Sequence, residues 1–522
     1  MKSHYKGLCK YGVPHPTINS KAWEFSKECI QREFFPVMCN STIVDQETVI
    51  SQLDKKTSNG TFLKYLFGNK GKFFEHPLSR DYLQDYWDLL LHREKMIHCL
   101  RQMSDKYEVR PTDKLKENKI RVFTADETAS IVANNRFSLH MNQKFYMNHT
   151  KFSSVVGRSK FYAGFQIFFE MIRRFKLFFS TDVSGWDTVQ FFLLQVEQMM
   201  FRWSCLRRED QTQDNWARFS NYYLSTIMSF LHAIDGNIYF KQFGVCSGFG
   251  NTLIDNTINL FRVWTYVFAD LYFASHDDQL VFDTLTAVYN SSPIDSLQKA
   301  IVSRKLQDFE KDTLSYDMMN TKIGMLLTGD DNTHGVCDSI TSWFNVDSVT
   351  KSFLKLGITM NYEHILPKSI EEVTFLSQHW VKIPQIKIYL PSPDFGKVIG
   401  SLIHGCKSPD PRWSLMRAFA LRIECWANLQ AREAVEDYIK FMYSTHREFL
   451  TGEFIIPGTE TDNGGLGQKI KMSTIESCHL TASQLDRLYT GEESWDALND
   501  VTQLLKTVDY SADFFSSFYG NF

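Results

Sequence analysis

The pattern of apolar and polar positions changes along the chain, and its changes predict the elements. In "MLLTGDDNTHG" an apolar run turns back at Gly329, so the stretch reads as a hairpin with Asp330 and Asp331 at its tip. Upstream, "FKLFFSTDVSGWD" has a strand-like run from Phe175 to Phe179, then Asp182, Ser184-Gly185 and Asp187. Between them, "GVCSGFGNTLIDNTINLFRVW" opens with a glycine-bearing loop and continues as a helix. Thr252 and Asn256, four apart, share one face of it. Near the C-terminus, "DPRWSLMRAFALRIECWANLQAREAVEDYIKFMYSTHREFL" places apolar residues three and four apart, which predicts two helices.

Composition adds scale to this picture. The chain has 522 residues, long enough for two or three packed subdomains, and its apolar fraction of 43% with 43 Phe supports a large core. A net charge of −3 says little about partners, because a near-neutral protein can still line one channel with Lys and Arg. The 10 cysteines form no CxxC pair and no Cys/His cluster, which predicts reduced thiols rather than disulfides or structural zinc. "FYAGFQIFFEMIRRFKLFF" comes nearest to a membrane span, but Glu170, Arg173, Arg174 and Lys176 interrupt it, and the chain reads as soluble and cytosolic.

The candidate chemistry lies at the strand ends. If the two acidic strand ends are neighbours in one sheet, Asp182 meets Asp330, and carboxylates gathered there suit a hard cation. Two such ions can clamp the attacking and leaving oxygens of a phosphoryl transfer. Taken alone, each cluster also reads as a surface turn rich in Asp, Gly and Ser. Ser247-Gly248-Phe249-Gly250 lets backbone approach a ligand, or simply starts a helix. In "PTDKLKENKIRVFTA", Lys114, Lys116, Lys119 and Arg121 lead into an apolar strand end, and in an extended segment such cations face one side, where they can neutralise a triphosphate. "KKTSNGTF" reads either as a loop gripping a nucleic-acid backbone or as a turn.

In this order the motifs resemble those of the RNA-dependent RNA polymerases of positive-strand RNA viruses, of the picornavirus, calicivirus and astrovirus-like group. "DVSGWD" is similar to the first palm motif, "CSGFGNTLIDN" to the Ser-Gly motif and "TGDDN" to the Gly-Asp-Asp motif. "KLKENKIRVF" resembles the basic fingertip motif and "TSNG" the template-entry motif. "FLKLGITMNYEH" and "VTFLSQHWVKI" resemble the last two palm motifs. The resemblance runs from about Thr57 to Ile383. It departs from the family at Thr328, where many relatives carry an aromatic, and in a long segment over 270–321 that looks like an insertion.

The resemblance implies an α+β, closed right-hand fold. Fingers would span 1–175 and 205–243, palm 176–204 and 244–384, and a helical thumb 385–522. It implies attack of an RNA 3'-hydroxyl on the α-phosphate of a ribonucleoside triphosphate, with two magnesium ions, or manganese, held by Asp182 and Asp330 and assisted by Asp331. Arg121, with Lys119 and one of Lys114 or Lys116, would grip the triphosphate. Asp187, Ser247, Gly248, Thr252 and Asn256 would position sugar and template, and Ser58 and Gly60 would touch the template strand. The late-palm lysine has no clean counterpart, which leaves Lys368 and His364 as alternative proton donors. Implied partners are template and primer RNA, nucleotides and other viral replication proteins, at membrane-associated replication complexes in host cytoplasm. A reverse transcriptase shares the paired aspartates. It needs bulk near the sugar's 2' position, whereas Asp187 is an acceptor that suits a hydroxyl.

Overall fold

A computed structural model describes residues 2–11, 16–92, 99–106, 112–118, 120–149, 151–275, 314–383, 386–404, 410–455, 469–477 and 479–492. Its strands in chain order begin with β1 (Leu100–Asp105), β2 (Val122–Ala125), β3 (Leu177–Val183), β4 (Ser229–His232) and β5 (Ile238–Lys241). There follow β6 (Ile323–Thr328), β7 (Asp331–Val336) and β8 (Met360–Tyr362). Two four-stranded sheets position the site, one ordered β2-β1-β4-β5 and the other β6-β7-β3-β8.

In the second sheet β6, β7, β3 and β8 run antiparallel to their neighbours, and the register sets Thr328 opposite Asp331 and Asp331 opposite Asp182. Gly329 and Asp330 are therefore the two loop residues of a tight hairpin, with Gly329 at φ 61°, the left-handed conformation such a loop needs at its first position. Gly324 and Gly335 face each other across β6 and β7, and a Cβ on either would collide with the Phe175 ring. The paired glycines make room for that ring.

β3 is longer than its apolar run predicts. The expected strand ends at Phe179, but pairing continues through Asp182, so Asp182 stands within the strand. The extension is held by polar side chains. Ser180 and Thr333 hydroxyls lie 2.9 Å apart, and the Thr181 hydroxyl donates to Asn332 Oδ1 at 2.6 Å. Hydrophobicity alone could not show this pairing.

Behind the sheet runs the helix Thr252–Ser275, buried on almost every side although it carries Asp255, Asn256, Asn259, Arg262 and Asp270 as well as its apolar residues. It packs against the helices Ser20–Glu33, Phe192–Ser204 and Val346–Lys355 and against β6. Residues 270–275 of the expected insertion continue this helix, Tyr316–Lys322 forms a short helix leading into β6, and 276–313 lie outside the described residues. A separate core joins the helices Phe395–His404, Pro411–Glu424, Leu429–His446 and Ala482–Thr490. The two expected C-terminal helices are Pro411–Glu424 and Leu429–His446, whose starts are capped by the side chains of Asp410 and Asn428. A buried Lys160–Glu424 ion pair ties this core to the rest of the chain. Among the described residues the cysteines are free thiols, and no helix is long and apolar enough to cross a membrane.

Candidate active site

The sheet gathers the acids that the sequence separates by about 150 positions. Asp182 and Asp331 pair directly across β3 and β7, with Asp330 one residue away at the hairpin tip. The hairpin is fixed from behind, because the Gly329 N–H donates to the Thr257 hydroxyl at 2.8 Å. Withdrawal from water, then the charge of Asp187, pushes the Asp330 carboxyl up to about 6. Withdrawal from water, then Asp330 and Asp182, pushes Asp331 up to about 8. Arg121 works against both shifts, and Lys397, from the helix Phe395–His404, against that of Asp331.

Among the described residues no salt bridge reaches Asp182, Asp330 or Asp331, and no three acidic, histidine or cysteine side chains close into a ready-made metal cage. Carboxylates alone, crowded and short of positive charge, are hard oxygen donors. An incomplete set fits magnesium, which keeps several waters and takes phosphate oxygens from a substrate. Asp182, Asp330 and Asp331 are the residues that would hold it.

Asp187 follows β3 on a turn in which Gly185 adopts φ 64°. Its carboxylate accepts from the Asn256 amide, and its carbonyl accepts from Val245 N–H at 2.6 Å, which ties the turn to the loop before Ser247. Withdrawal from water raises its pKa, opposed by the Asn256 hydrogen bond and by Arg121 and Lys106. Thus Asp182, Asp187, Asn256, Asp330, Asp331 and Arg121 belong to one electrostatic neighbourhood.

The Ser-Gly loop lies against β2. Thr124 N–H donates to Ser247 Oγ at 3.3 Å, and a Cβ on Gly248 would run into the Thr124 carbonyl, so only glycine allows this approach. The Thr252 hydroxyl is engaged with its own loop, near the carbonyls of Cys246 at 2.9 Å and Phe249 at 2.6 Å.

The basic motif differs from its expected form. Lys114 and Lys116 sit exposed on the short helix Thr112–Lys116 rather than along an extended segment, because the run of charged residues lacks a strand partner and closes a helical turn instead. Lys119 lies outside the described residues. Arg121 lies at the start of β2, where its carbonyl accepts from Lys106 N–H at 2.8 Å. Ser58 and Gly60 lie beyond the other end of β2. Gly60, at φ 91°, is pressed against Asp126 and Glu127, roughly 17 Å along the strand from Arg121.

Lys368 pairs through its backbone with Phe178, four residues before Asp182, and its ammonium lies 3.3 Å from Glu372. His364 Nε2 lies 3.0 Å from the Glu372 carbonyl. Asn361 is the residue opposite Asp182 on β8. Sequence reasoning passed over Lys106, Lys397 and Thr257. No local pattern marks the first two, and Thr257 sits among the polar residues Asp255, Asn256 and Asn259, where nothing in the sequence sets it apart.

Acids gathered at one end of an antiparallel sheet, with the Asp187–Asn256 pair and the cations Arg121, Lys106 and Lys397 in the same electrostatic neighbourhood, point to a right-hand polymerase fold. In structure the chain is similar to a Sicinivirus 3Dpol RNA dependent RNA polymerase, with a TM-score of 0.60 over 94% of this chain and 87% of that one at 12% identity. A model of the viral RNA-dependent RNA polymerase family matches residues 1–393, and the chain belongs to that family. It is 26% identical over 343 residues to the genome polyprotein of Sweet potato mild mottle virus, covering 64% of this chain and 9% of that one. It is 24% identical over 403 residues to that of Triticum mosaic virus, covering 73% and 11%. The chain therefore spans about a tenth of the length of these relatives.

Proposed function

We propose that this chain extends RNA on an RNA template and that its substrates are ribonucleoside triphosphates. One observation carries the reading: Asp182 and Asp331 meet in register across β3 and β7, with Asp330 beside them and Asp187 close enough to raise Asp330. Bound magnesium would supply charge neutralisation at the reacting phosphate and a more acidic primer hydroxyl.

The chain's own residues do the rest. Arg121 and Lys106, which face Asp187, hold the triphosphate by charge-assisted bonds and orient it toward the acids. Asp187 accepts from the ribose 2'-hydroxyl while the Asn256 amide donates to it, so a sugar lacking that hydroxyl leaves both groups unpaired. The Ser247-Gly248 loop, packed on Thr124, holds the adjoining backbone where template and sugar pass. The proton lost to pyrophosphate comes from His364 or Lys368. His364→Gln and Lys368→Gln, each shown to be folded, assign it by which of the two slows turnover.

The test is extension of an RNA primer on an RNA template by purified protein, supplied with each nucleotide in ribo and deoxy form. Template-matched extension with a strong ribonucleotide preference is the expected result. A folded protein that binds the primer and template but extends neither would leave only an RNA-binding scaffold.

A further inference from the structure

Behind the pair of Asp187 and Asn256 lies a row of amides that the reaction itself does not use. Gln190 Nε2 donates to Asn256 Oδ1 at 2.7 Å, and Asn259 Nδ2 donates to Gln190 Oε1 at 2.7 Å. Gln190, Asn256 and Asn259 are 0%, 4% and 1% exposed, so water does not compete for these bonds. Donation runs one way along the row, from Asn259 through Gln190 and Asn256 to the carboxylate of Asp187. Asn259 Oδ1 finds no partner among the described residues, so this amide gives up one acceptor interaction to supply the donor that starts the row.

An asparagine amide can rotate by half a turn and exchange its oxygen for its nitrogen, and Asn256 has no fixed preference of its own. Gln190 removes that freedom. A turned Asn256 would set its NH₂ against the Gln190 NH₂ in the interior and its oxygen against the Asp187 carboxylate, leaving donors and acceptors unpaired at both ends. Gln190 can turn only if Asn259 turns with it, and the Asp187 carboxylate, which accepts but does not donate, holds the whole row to the direction described.

The backbone of Gln190 is fixed as well. Its carbonyl accepts from Gly244 N–H at 3.0 Å and from Gln195 Nε2 at 2.6 Å, so the row is anchored to the loop that leads to Ser247.

We infer that Gln190, held by Asn259, is a positioning residue for sugar selection: it fixes the Asn256 amide with its N–H groups toward Asp187 and the incoming ribose. The inference rests on the reading of Asp187 and Asn256 as the ribose-sensing pair.

The experiment measures kcat/KM for a ribonucleotide and its deoxy counterpart on one primer and template, in the unaltered protein, Gln190→Met, Gln190→Glu, Asn259→Ala and Asn256→Ala. Gln190→Met keeps the length and removes the donor, while Gln190→Glu keeps the shape and replaces the donor with an acceptor that favours the turned amide. Each should narrow the ribo-to-deoxy ratio by roughly three- to thirty-fold, chiefly by slowing the ribonucleotide, with Gln190→Glu the stronger. Asn259→Ala, which only loosens Gln190, should have a smaller effect of the same sign and serves if the Gln190 variants do not fold. Folded variants that keep the ratio, or that slow both nucleotides by the same factor, would overturn the inference and leave Gln190 a packing residue. Asn256→Ala separates the two layers. If it narrows the ratio and the Gln190 and Asn259 variants do not, the ribose reading stands and the positioning role falls. If Asn256→Ala leaves the ratio unchanged, both fall.

Discussion

The two four-stranded sheets treat charge in opposite ways. In β2-β1-β4-β5, Arg101 is fully buried and pairs with Asp126 at 2.9 Å, and Lys241 gives its buried ammonium to the carbonyls of Thr226, Ile227 and Gly244. Each charge taken inside has a partner, as stability demands. In β6-β7-β3-β8 the acids Asp182, Asp330 and Asp331 crowd one end with no salt bridge among the described residues, and Asp330 and Asp331 are pushed toward neutrality by burial and by neighbouring carboxylates, Asp187 foremost for Asp330 and Asp330 foremost for Asp331. A fold does not gather like charges for its own benefit. The first sheet holds its charges for the fold, and the second holds its charges for a ligand.

Substitution should separate the two. Asp330→Asn keeps the volume and removes a charge that only a bound cation needs. Nucleotide incorporation should fall on the order of 10,000-fold, about 5 kcal/mol in the barrier, while the melting temperature holds or rises because like-charge crowding is relieved. Near-normal extension by the folded variant would remove Asp330 from the metal site. The matching change in the other sheet, Asp126→Asn, leaves the Arg101 charge buried without its counterion. It should cost about 3 kcal/mol of folding stability, read by denaturant titration, with catalysis per folded molecule much less affected. If Asp126→Asn instead removed activity from a stable protein, the contrast between the sheets would fail.

The same contrast explains how far the sequence could be read. The acids and the Ser-Gly loop were legible because their spacing is local: Gly329 makes the hairpin, and Asp330 and Asp331 follow it. The palm fold was legible through those motifs in order. The end of β3 was not, because Ser180 and Thr181 are held in the strand by Thr333 and Asn332, about 150 residues away. Lys114 and Lys116 were read as an extended row, yet charged residues without a strand partner closed a helical turn. Lys397 approaches Asp331 from a helix in another core, a placement that only tertiary packing decides. Gln190 was missed for a related reason. Its function depends on which way two neighbouring amides point, and residue type alone does not carry that.

The smallest expected effect lies on β7 itself, three residues past Asp331. His334 is fully buried, its ring against Trp264 at 3.9 Å and Phe179 at 5.1 Å, with Nε2 2.8 Å from Asn332 Oδ1. Burial pushes its pKa down to about 3, whereas the unfolded chain titrates near the ordinary value of about 6.5. Between those values the unfolded state takes up a proton that the folded state refuses, so the stability owed to a neutral His334 is intact above about pH 6.5 and is lost as the pH falls toward 3. Between pH 7 and pH 5 the loss from this one residue is about 2 kcal/mol. Urea titrations at the two pH values, compared between the unaltered protein and His334→Gln, isolate it. The variant should be less stable at pH 7 but should lose about 2 kcal/mol less on going to pH 5. An identical pH dependence in both would mean that His334 is protonated inside the folded chain, and the second sheet would then carry positive charge close behind its acids.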